Sequence, residues 1–402
     1  MPGDVTQYTL AGQAMNTCAL IDAVCTGADE ARQVTLYFDA RAAPSDILAP
    51  EGATLKNSKS IGDGPILTYA LPEPIAPHFV IAGQQVDVAP AQAQLDLFDG
   101  LNCFASVRNG EDADTVLAWL AYHIQHHELE GIVLLDRAKP GADDGFASAL
   151  QNGMTAQGLS CPVVILSSPL PLGHANLPPE AHPFNVPGAP GKDRMKVPKP
   201  DPWSAPLGAL CLYEIIRERF LQTARAVANV DVYDLITKGD HTVFDMAVRA
   251  QGGVIQLLGE QCYPWRVRPG EQIRFGDHIC VQFDRTKMRK RFCIAPTRAP
   301  DTAVWRLVRI GNGDPDETVS AHFFRHMSLR HPSPAVSKIV PKTALIENEA
   351  LLKRAKKDFH HDPVRMPEDK LDTLPKGRGR CAIVTTMKNE GPFILEWLAY
   401  HR

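Results

Sequence analysis

The chain has no C-x-x-C pair, although nine cysteines are scattered through its 402 residues. Cysteine pairs at that spacing typically mark zinc or redox sites, so the sequence gives no sign of either. Isolated cysteines of this kind are typical of reduced thiols, and we therefore expect a cytoplasmic protein.

Long apolar segments are also missing. The opening residues, MPGDVTQYTL, lack the basic and apolar regions of a signal peptide. No stretch approaches the roughly 18 apolar residues that a membrane-spanning helix needs. The sequence thus predicts no transmembrane segment, while peripheral contact with a membrane remains open.

Neither sign of charge is in large excess. The 42 Lys and Arg residues oppose 46 Asp and Glu residues, which leaves a formal net charge of −4. This balance offers no general attraction for nucleic acid, which is therefore not an expected partner. The 44% hydrophobic and 22% charged residues are typical of globular proteins.

Residues 1–99 contain short apolar runs between turns that carry Gly and Pro, and they predict a small β-rich N-terminal domain. The pattern changes at residue 100. An apolar strand (103–107), a helix with Asp112 and Asp114 at its start, and strands at 131–136 and 162–167 follow one another. This alternation predicts an α/β domain with a mostly parallel, Rossmann-like sheet and flanking helices, whose ligand crevice lies at the carboxyl ends of the strands.

Residues 169–206 contain eleven prolines and predict a long surface loop. It is either a lid over the crevice or an insertion, and we favour the insertion. Further on, the pattern predicts a helix over 207–226, a second helix capped by Asp240 and Thr242, and a mixed or antiparallel end to the domain. We place this domain at 100–345, and a helix and linker at 346–378.

The chain contains an internal repeat. Trp119-Leu-Ala-Tyr-His123 recurs identically at Trp397-Leu-Ala-Tyr-His401, each time after an apolar strand and an asparagine. Because the chain has only five tryptophans, common ancestry of two modules explains the match better than chance. His123 and His127 have the spacing of a zinc pair on a helix, but the second copy keeps only one histidine, so we favour a structural role.

The second copy, residues 379–402, resembles the opening of bacterial glycosyltransferase family 2 proteins. The matching residues are Lys388-Asn389-Glu390 and the helix with Glu396-Trp397 and Tyr400-His401. The resemblance implies a GT-A fold in tandem copies, the second truncated at residue 402. It also implies that Lys388, Asn389 and Glu390 bind the nucleotide sugar.

The first copy resembles the same family over about 240 residues. Arg108 and Asn109 stand where Lys-Asn is expected, and Asp136 matches the strand-end aspartate near the nucleotide. Gly110 replaces the glutamate. The resemblance therefore implies that Arg108, Asn109 and Asp136 contact the nucleotide sugar.

Family members also carry Asp-x-Asp-Glu, whose carboxylates hold Mn²⁺ or Mg²⁺ against the diphosphate. Here the segment is Asp231-Val-Tyr233-Asp234, so Tyr233 replaces the second aspartate. Asp231, Asp234 and His322 are the candidate metal ligands, and the substitution puts the cation in this copy in doubt. A strand histidine without a metal is the favoured interpretation of His322.

A basic cluster, Lys287 to Arg291, is the densest in the chain. One interpretation is that it contacts a diphosphate or an acidic glycan. We favour the other, that it is a solvated strand edge.

The resemblance implies a hexosyltransferase-type enzyme of polysaccharide biosynthesis, which takes sugar from a nucleotide-diphosphate sugar to a glycan or lipid-linked acceptor. The alternative is a degenerate nucleotide- or carbohydrate-binding module beside an active second domain. The catalytic base is not identified. A Rossmann-type oxidoreductase is disfavoured because no G-x-G-x-x-G follows the first strand.

Overall fold

Strands dominate the first hundred residues of the computed structural model, which describes residues 3–27, 32–71, 78–142, 145–283, 288–333, 335–367 and 393–401. The predicted apolar runs there all form strands. In chain order the strands are β1 (Val5–Thr9), β2 (Gln13–Ala14), β3 (Ala19–Thr26), β4 (Gln33–Phe38), β5 (Ile47–Leu48), β6 (Thr54–Ile61), β7 (Gly64–Ala70), β8 (His78–Ile81), β9 (Gln84–Asp87) and β10 (Ala91–Gln92).

The predicted β-α-β alternation is confirmed. Asp112 caps the first helix by accepting a 2.8 Å hydrogen bond from the Thr115 amide, and Glu128 ends it in the left-handed conformation. The elements are β11 (Asn102–Arg108), α1 (Ala113–His127), β12 (Gly131–Asp136), α2 (Phe146–Gln157) and β13 (Val163–Ser167). β11, β12 and β13 pair in parallel, so their carboxyl ends share one edge of the sheet.

The later part of the chain adds shorter helices and longer strands. Thr242 caps its helix as predicted, whereas the helix expected from residue 207 begins at Leu212 and continues as a π-helical turn to Leu221. The elements are α3 (Leu212–Ile216), β14 (Ala226–Asn229), β15 (Asp234–Ile236), α4 (Val243–Arg249), β16 (Val254–Pro264), β17 (His278–Gln282), β18 (Arg289–Ile294), β19 (Val304–Trp305), β20 (Ile310–Gly311), β21 (Ser320–His326), α5 (Met327–Arg330), β22 (Leu345–Glu347) and α6 (Glu349–Lys357).

The large sheet has eleven strands in the order β1-β13-β12-β11-β14-β18-β16-β17-β22, with β21 and β15 added beside β16. The α/β class is confirmed, but the sheet is mixed, and the prediction of a mostly parallel sheet is wrong. From β14 onward the neighbouring strands β18, β16, β17 and β22 pair antiparallel, so the predicted mixed or antiparallel end of the domain is confirmed.

Both faces of the sheet are buried. Alternate residues of β11 to β13 face two separate cores: Cys103 and Val133 pack with α3 on one face, while Phe104 and Ile132 pack with α1, α2 and α4 on the other. Burial on both faces explains the continuous apolar runs in the sequence.

The predicted boundary at residue 99 is crossed by β1, which pairs in parallel with β13 at the edge of the large sheet. The other early strands form smaller sheets, and Asp22 of β3 is buried against Arg219 at 3.4 Å. Met1–Arg365 form one compact unit and Met366–Arg402 another. The second contains α7 (Ile394–His401). Within the described residues, no helix has the length and apolar character needed to cross a bilayer.

The proline-rich segment 169–206 has little regular structure, as predicted. It contains short turns at Pro183–Asn185 and Lys192–Arg194 and an isolated bridge between Gly173 and Leu207. The segment nevertheless packs closely, since a Cβ added at Gly173 would lie 2.6 Å from the Pro202 carbonyl oxygen and 2.7 Å from that of Ala205.

Substituting Gly173→Ala is therefore expected to lower the free energy of unfolding by about 1–3 kcal/mol, because backbone atoms must move to admit the methyl group. Urea denaturation followed by circular dichroism measures this change. Gly239→Ala is the control, since the nearest atom to its added Cβ is at 3.7 Å. Equal stability of the two variants would contradict the packing described.

Candidate functional site

Arg108 and Asp136 end the neighbouring strands β11 and β12 and lie directly opposite each other. Nη1 of Arg108 is 3.1 Å from both carboxylate oxygens of Asp136, and the guanidinium lies 3.7 Å from the centroid of the Phe146 ring. Two of the predicted nucleotide contacts are thus brought together, and each neutralises the other.

Asn109, the third predicted contact, lies beside them in the turn after β11. Its side-chain oxygen accepts a 3.0 Å hydrogen bond from Arg137, and its backbone amide donates to the Glu111 carboxylate at 2.6 Å. Burial raises the pKa of Glu111 to about 7, and the nearby charge of Asp231 adds to the effect.

Asp231 and Asp234 follow β14, and arginine side chains bind both carboxylates. Arg325, opposite Asp234 across β15 and β21, donates to its two oxygens at 2.8 and 2.7 Å and to Asp231 at 3.0 Å. Arg291 also donates to Asp231. Burial alone would raise the pKa of Asp231, but Arg291 and Arg325 outweigh it and lower that pKa to about 2.

These contacts decide how well the pair fits a divalent cation. Oδ2 of Asp231 and both oxygens of Asp234 accept hydrogen bonds from guanidinium groups, so a cation would have to displace an arginine to use them. In the described part of the chain, no three His, Cys, Asp or Glu residues lie together as a ligand set. As arranged here, the residues do not fit the metal site that the resemblance implies.

His322, the third candidate ligand, is on β21 but lies in a different place. Its side chain is exposed and lines a surface groove with Lys238 and His241. Asp231 and Asp234 are not among the residues of that groove. The structure therefore brings the two aspartates together and does not bring His322 to them.

Tyr233 connects Asp231 and its arginine partners to the proline-rich segment. Its hydroxyl donates to Asp231 at 3.1 Å and accepts a hydrogen bond from Arg330, which also pairs with Glu180. Glu180 lies in that segment, so residues 169–206 reach the carboxyl ends of the strands. The Tyr233 hydroxyl thus links Asp231 to Arg330.

Three cavities open along this edge of the sheet. The smallest, about 170 Å³, is lined by Asn109, Asp231, Tyr233 and Arg291. A second of about 230 Å³ shares Asn109 and includes Arg330. A third of about 430 Å³ contains Asp136 and Lys139. β12 and β14 lie on opposite sides of β11, so the smallest cavity is at the point where strand order reverses, the usual ligand position in such sheets.

The charged residues at the ends of β11 and β14 form a polar cluster. Four of its members were not predicted from the sequence: Arg137, Glu180, Arg325 and Arg330. Arg325 follows Phe323 and Phe324 in a strand, and an arginine within an apolar strand is a signal of a buried ion pair. In the basic run, Arg291 is mostly buried on Asp231 while Arg289 and Lys290 are exposed. Lys287 lies outside the described residues.

The repeated pentapeptide has a clear role in the first copy. Trp119 is fully buried, and its indole donates to the Asp234 carbonyl at 2.8 Å. The Tyr122 hydroxyl donates to the Ile236 carbonyl at 2.8 Å, and His127 contacts the same oxygen at 3.0 Å. His123 accepts from the Ile236 amide at 3.3 Å. These contacts support the structural interpretation of both histidines.

In the second copy, Ile394–His401 is helical like α1, and Trp397 and His401 are in ring contact, as Trp119 and His123 are. The surroundings differ, since Trp397 is only half-buried. Lys388, Asn389 and Glu390 lie outside the described residues, so their predicted role and the tandem arrangement stay predictions.

Comparison with protein-family models and with curated proteins finds no match for this chain.

Proposed function

We propose that residues 100–345 bind a nucleotide-diphosphate sugar at the carboxyl ends of β11, β12 and β14, as part of a family 2-like glycosyltransferase with a GT-A-like fold. The observation that carries the proposal is the charged cavity where the strand order reverses, lined by Asn109, Asp231, Tyr233 and Arg291. The acceptor is a glycan or a lipid-linked oligosaccharide.

The larger cavity supports the same proposal. It measures about 430 Å³ and lies at the ends of β12 and β13. This volume has room for the nucleoside part of the donor, with the diphosphate in the smaller cavity. Lys139 is an exposed cation on its wall. We expect it to contact a phosphate of the donor.

Titration calorimetry of UDP and GDP with the full chain tests the proposal, with and without Mn²⁺. Lys139→Ala is expected to weaken nucleotide binding about fivefold, corresponding to about 1 kcal/mol. Lys56→Ala, an exposed lysine on β6, removes the same charge elsewhere and is expected to leave binding unchanged. If neither UDP nor GDP binds, with or without Mn²⁺, the proposal is wrong.

A second candidate function is a binding module without catalytic activity. The arginine partners of Asp231 and Asp234 favour this function. They bind the carboxylate oxygens that a metal-dependent sugar transfer would need as metal ligands. Release of free nucleotide from UDP- and GDP-sugars separates the two: a transferase releases it in the presence of acceptor, while a module binds the donor without turnover.

A further inference from the structure

The polar cluster at the ends of β11 and β14 is rich in arginine. Its carboxylates are Asp231, Asp234, Glu180 and Glu111, the last with its pKa raised by burial to about 7, and its guanidinium groups belong to Arg137, Arg289, Arg291, Arg325 and Arg330. Burial lowers the pKa of Arg289, and the positive charges of Arg325, Arg330 and Arg291 lower it further. The neighbouring arginines therefore repel Arg289 and disfavour its charged form.

Arg289 is the least compensated member. It lies on β18 two residues before Arg291, so both side chains project from the same face of the strand. No carboxylate partner for Arg289 occurs within the ranges that the structure describes. Its side chain is partly desolvated by its neighbours but still has an exposed part, so an anion can reach it from solvent.

Two buried donors of the cluster also lack partners. In the described part of the chain, neither Nε of Arg137 nor Nε of Arg291 makes a hydrogen bond. The Arg137 side chain is only 3% exposed, and Arg291 lines the cavity of about 170 Å³. Buried N–H groups without acceptors are unfavourable, and Arg291, which lines the cavity, is the one of the two that an anion bound there would contact.

We infer that this arginine cluster binds the diphosphate group of the nucleotide directly, without a divalent cation. The inference rests on the proposed function for the identity of the ligand. Guanidinium groups suit the task because they stay charged and donate paired hydrogen bonds to phosphate oxygens. They supply the positive charge that Mn²⁺ or Mg²⁺ would bring to an Asp-x-Asp site.

The test is calorimetric titration of inorganic pyrophosphate into the full chain in EDTA. Binding is expected without metal, and Arg289→Gln is expected to weaken it about tenfold, since one charge-assisted contact to phosphate is lost. Lys290→Gln is the matched control: it removes the same charge from the adjacent residue, which projects from the opposite face of β18. It is expected to leave the affinity unchanged.

Both positions are exposed, so neither variant should disturb folding, which thermal denaturation checks. No binding of pyrophosphate in EDTA, or an equal loss of affinity in the two variants, would overturn the inference. Nucleotide binding that requires Mn²⁺ would overturn it and leave the proposed function standing. Pyrophosphate binding without any nucleotide binding would support the cluster as an anion site and remove the proposed function.

Discussion

Replacing Arg325 by Met is expected to lower the free energy of unfolding by about 3–5 kcal/mol. Arg325 is 4% exposed and binds the carboxylates of both Asp231 and Asp234, which are themselves 7% and 0% exposed. Without it, Asp234 loses its only guanidinium partner in the described part of the chain and stays buried as an uncompensated charge. Urea denaturation of the purified variant measures the loss.

An exposed ion pair provides the contrast. Arg41, 63% exposed, pairs with Asp39, and Arg41→Met is expected to cost less than about 1 kcal/mol because water screens the pair. Adding Asp234→Asn to Arg325→Met should recover part of the lost stability, since the unpaired charge is then removed. If Arg325→Met costs no more than Arg41→Met, the buried network described here is wrong.

Acidification is expected to destabilise the protein steeply below about pH 6.5. Burial lowers the pKa of several histidines: that of His331 to about 3, those of His127 and His278 to about 4, and those of His123 and His326 well below the usual value. The unfolded chain therefore takes up protons that the folded chain cannot, and stability is lost as pH falls through the unfolded pKa.

Three acids oppose this trend, and one of them is Asp234, whose pKa burial raises. Burial raises the pKa of Asp22 to about 6 and that of Glu111 to about 7, so the folded chain takes up protons at these groups before the unfolded chain does. The histidines with lowered pKa values outnumber these acids, so at about pH 5.5 the unfolded chain still carries more protons than the folded chain, and stability falls as the pH is lowered.

Guanidinium denaturation at several pH values measures this slope. The variant His127→Gln keeps a donor for the Ile236 carbonyl but cannot be protonated, so its slope is expected to be smaller by about one proton, or about 1.4 kcal/mol per pH unit. A slope near zero between about pH 5 and 6.5 would contradict the buried, neutral imidazoles.

Local signals predicted much of the fold. Asp112 and Thr242 cap their helices because a short acceptor side chain before an apolar helical pattern satisfies free amide groups. β11, β12 and β13 follow from apolar runs separated by helix patterns. These features depend on neighbours within a few residues, which the sequence displays directly.

Long-range pairing was the part that the sequence could not provide. β1 joins β13 across more than 150 residues, and β16 pairs with β21 in parallel, although nothing in either strand specifies its partner. The apolar residues from Val304 to Ile310 form two short strands, β19 and β20, because the chain reverses between them, where the Arg306 amide donates to the Arg309 carbonyl at 3.0 Å. Backbone pairing alone does not choose between such alternatives.

The site was predicted only in part for the same reason. Arg108, Asn109 and Asp136 converge because parallel strands end at one edge, as expected. Asp231 and Asp234 converge with Arg325, which lies 94 and 91 residues further along the chain. A carboxylate pattern in sequence does not reveal whether its partner is a metal ion or an arginine, since both supply positive charge.

The contacts of α1 with β15 have a consequence for the arrangement of the cluster. β15 has a strand neighbour, β21, on one side, and on its other side the indole, phenol and imidazole groups of α1 bond to the backbone of Asp234 and Ile236. Side chains of α1 thereby satisfy backbone groups of β15 that a neighbouring strand would otherwise bond. They also fix the position of Asp234 relative to Arg325. Any change that shifts α1 along its axis would be transmitted to the arginine cluster.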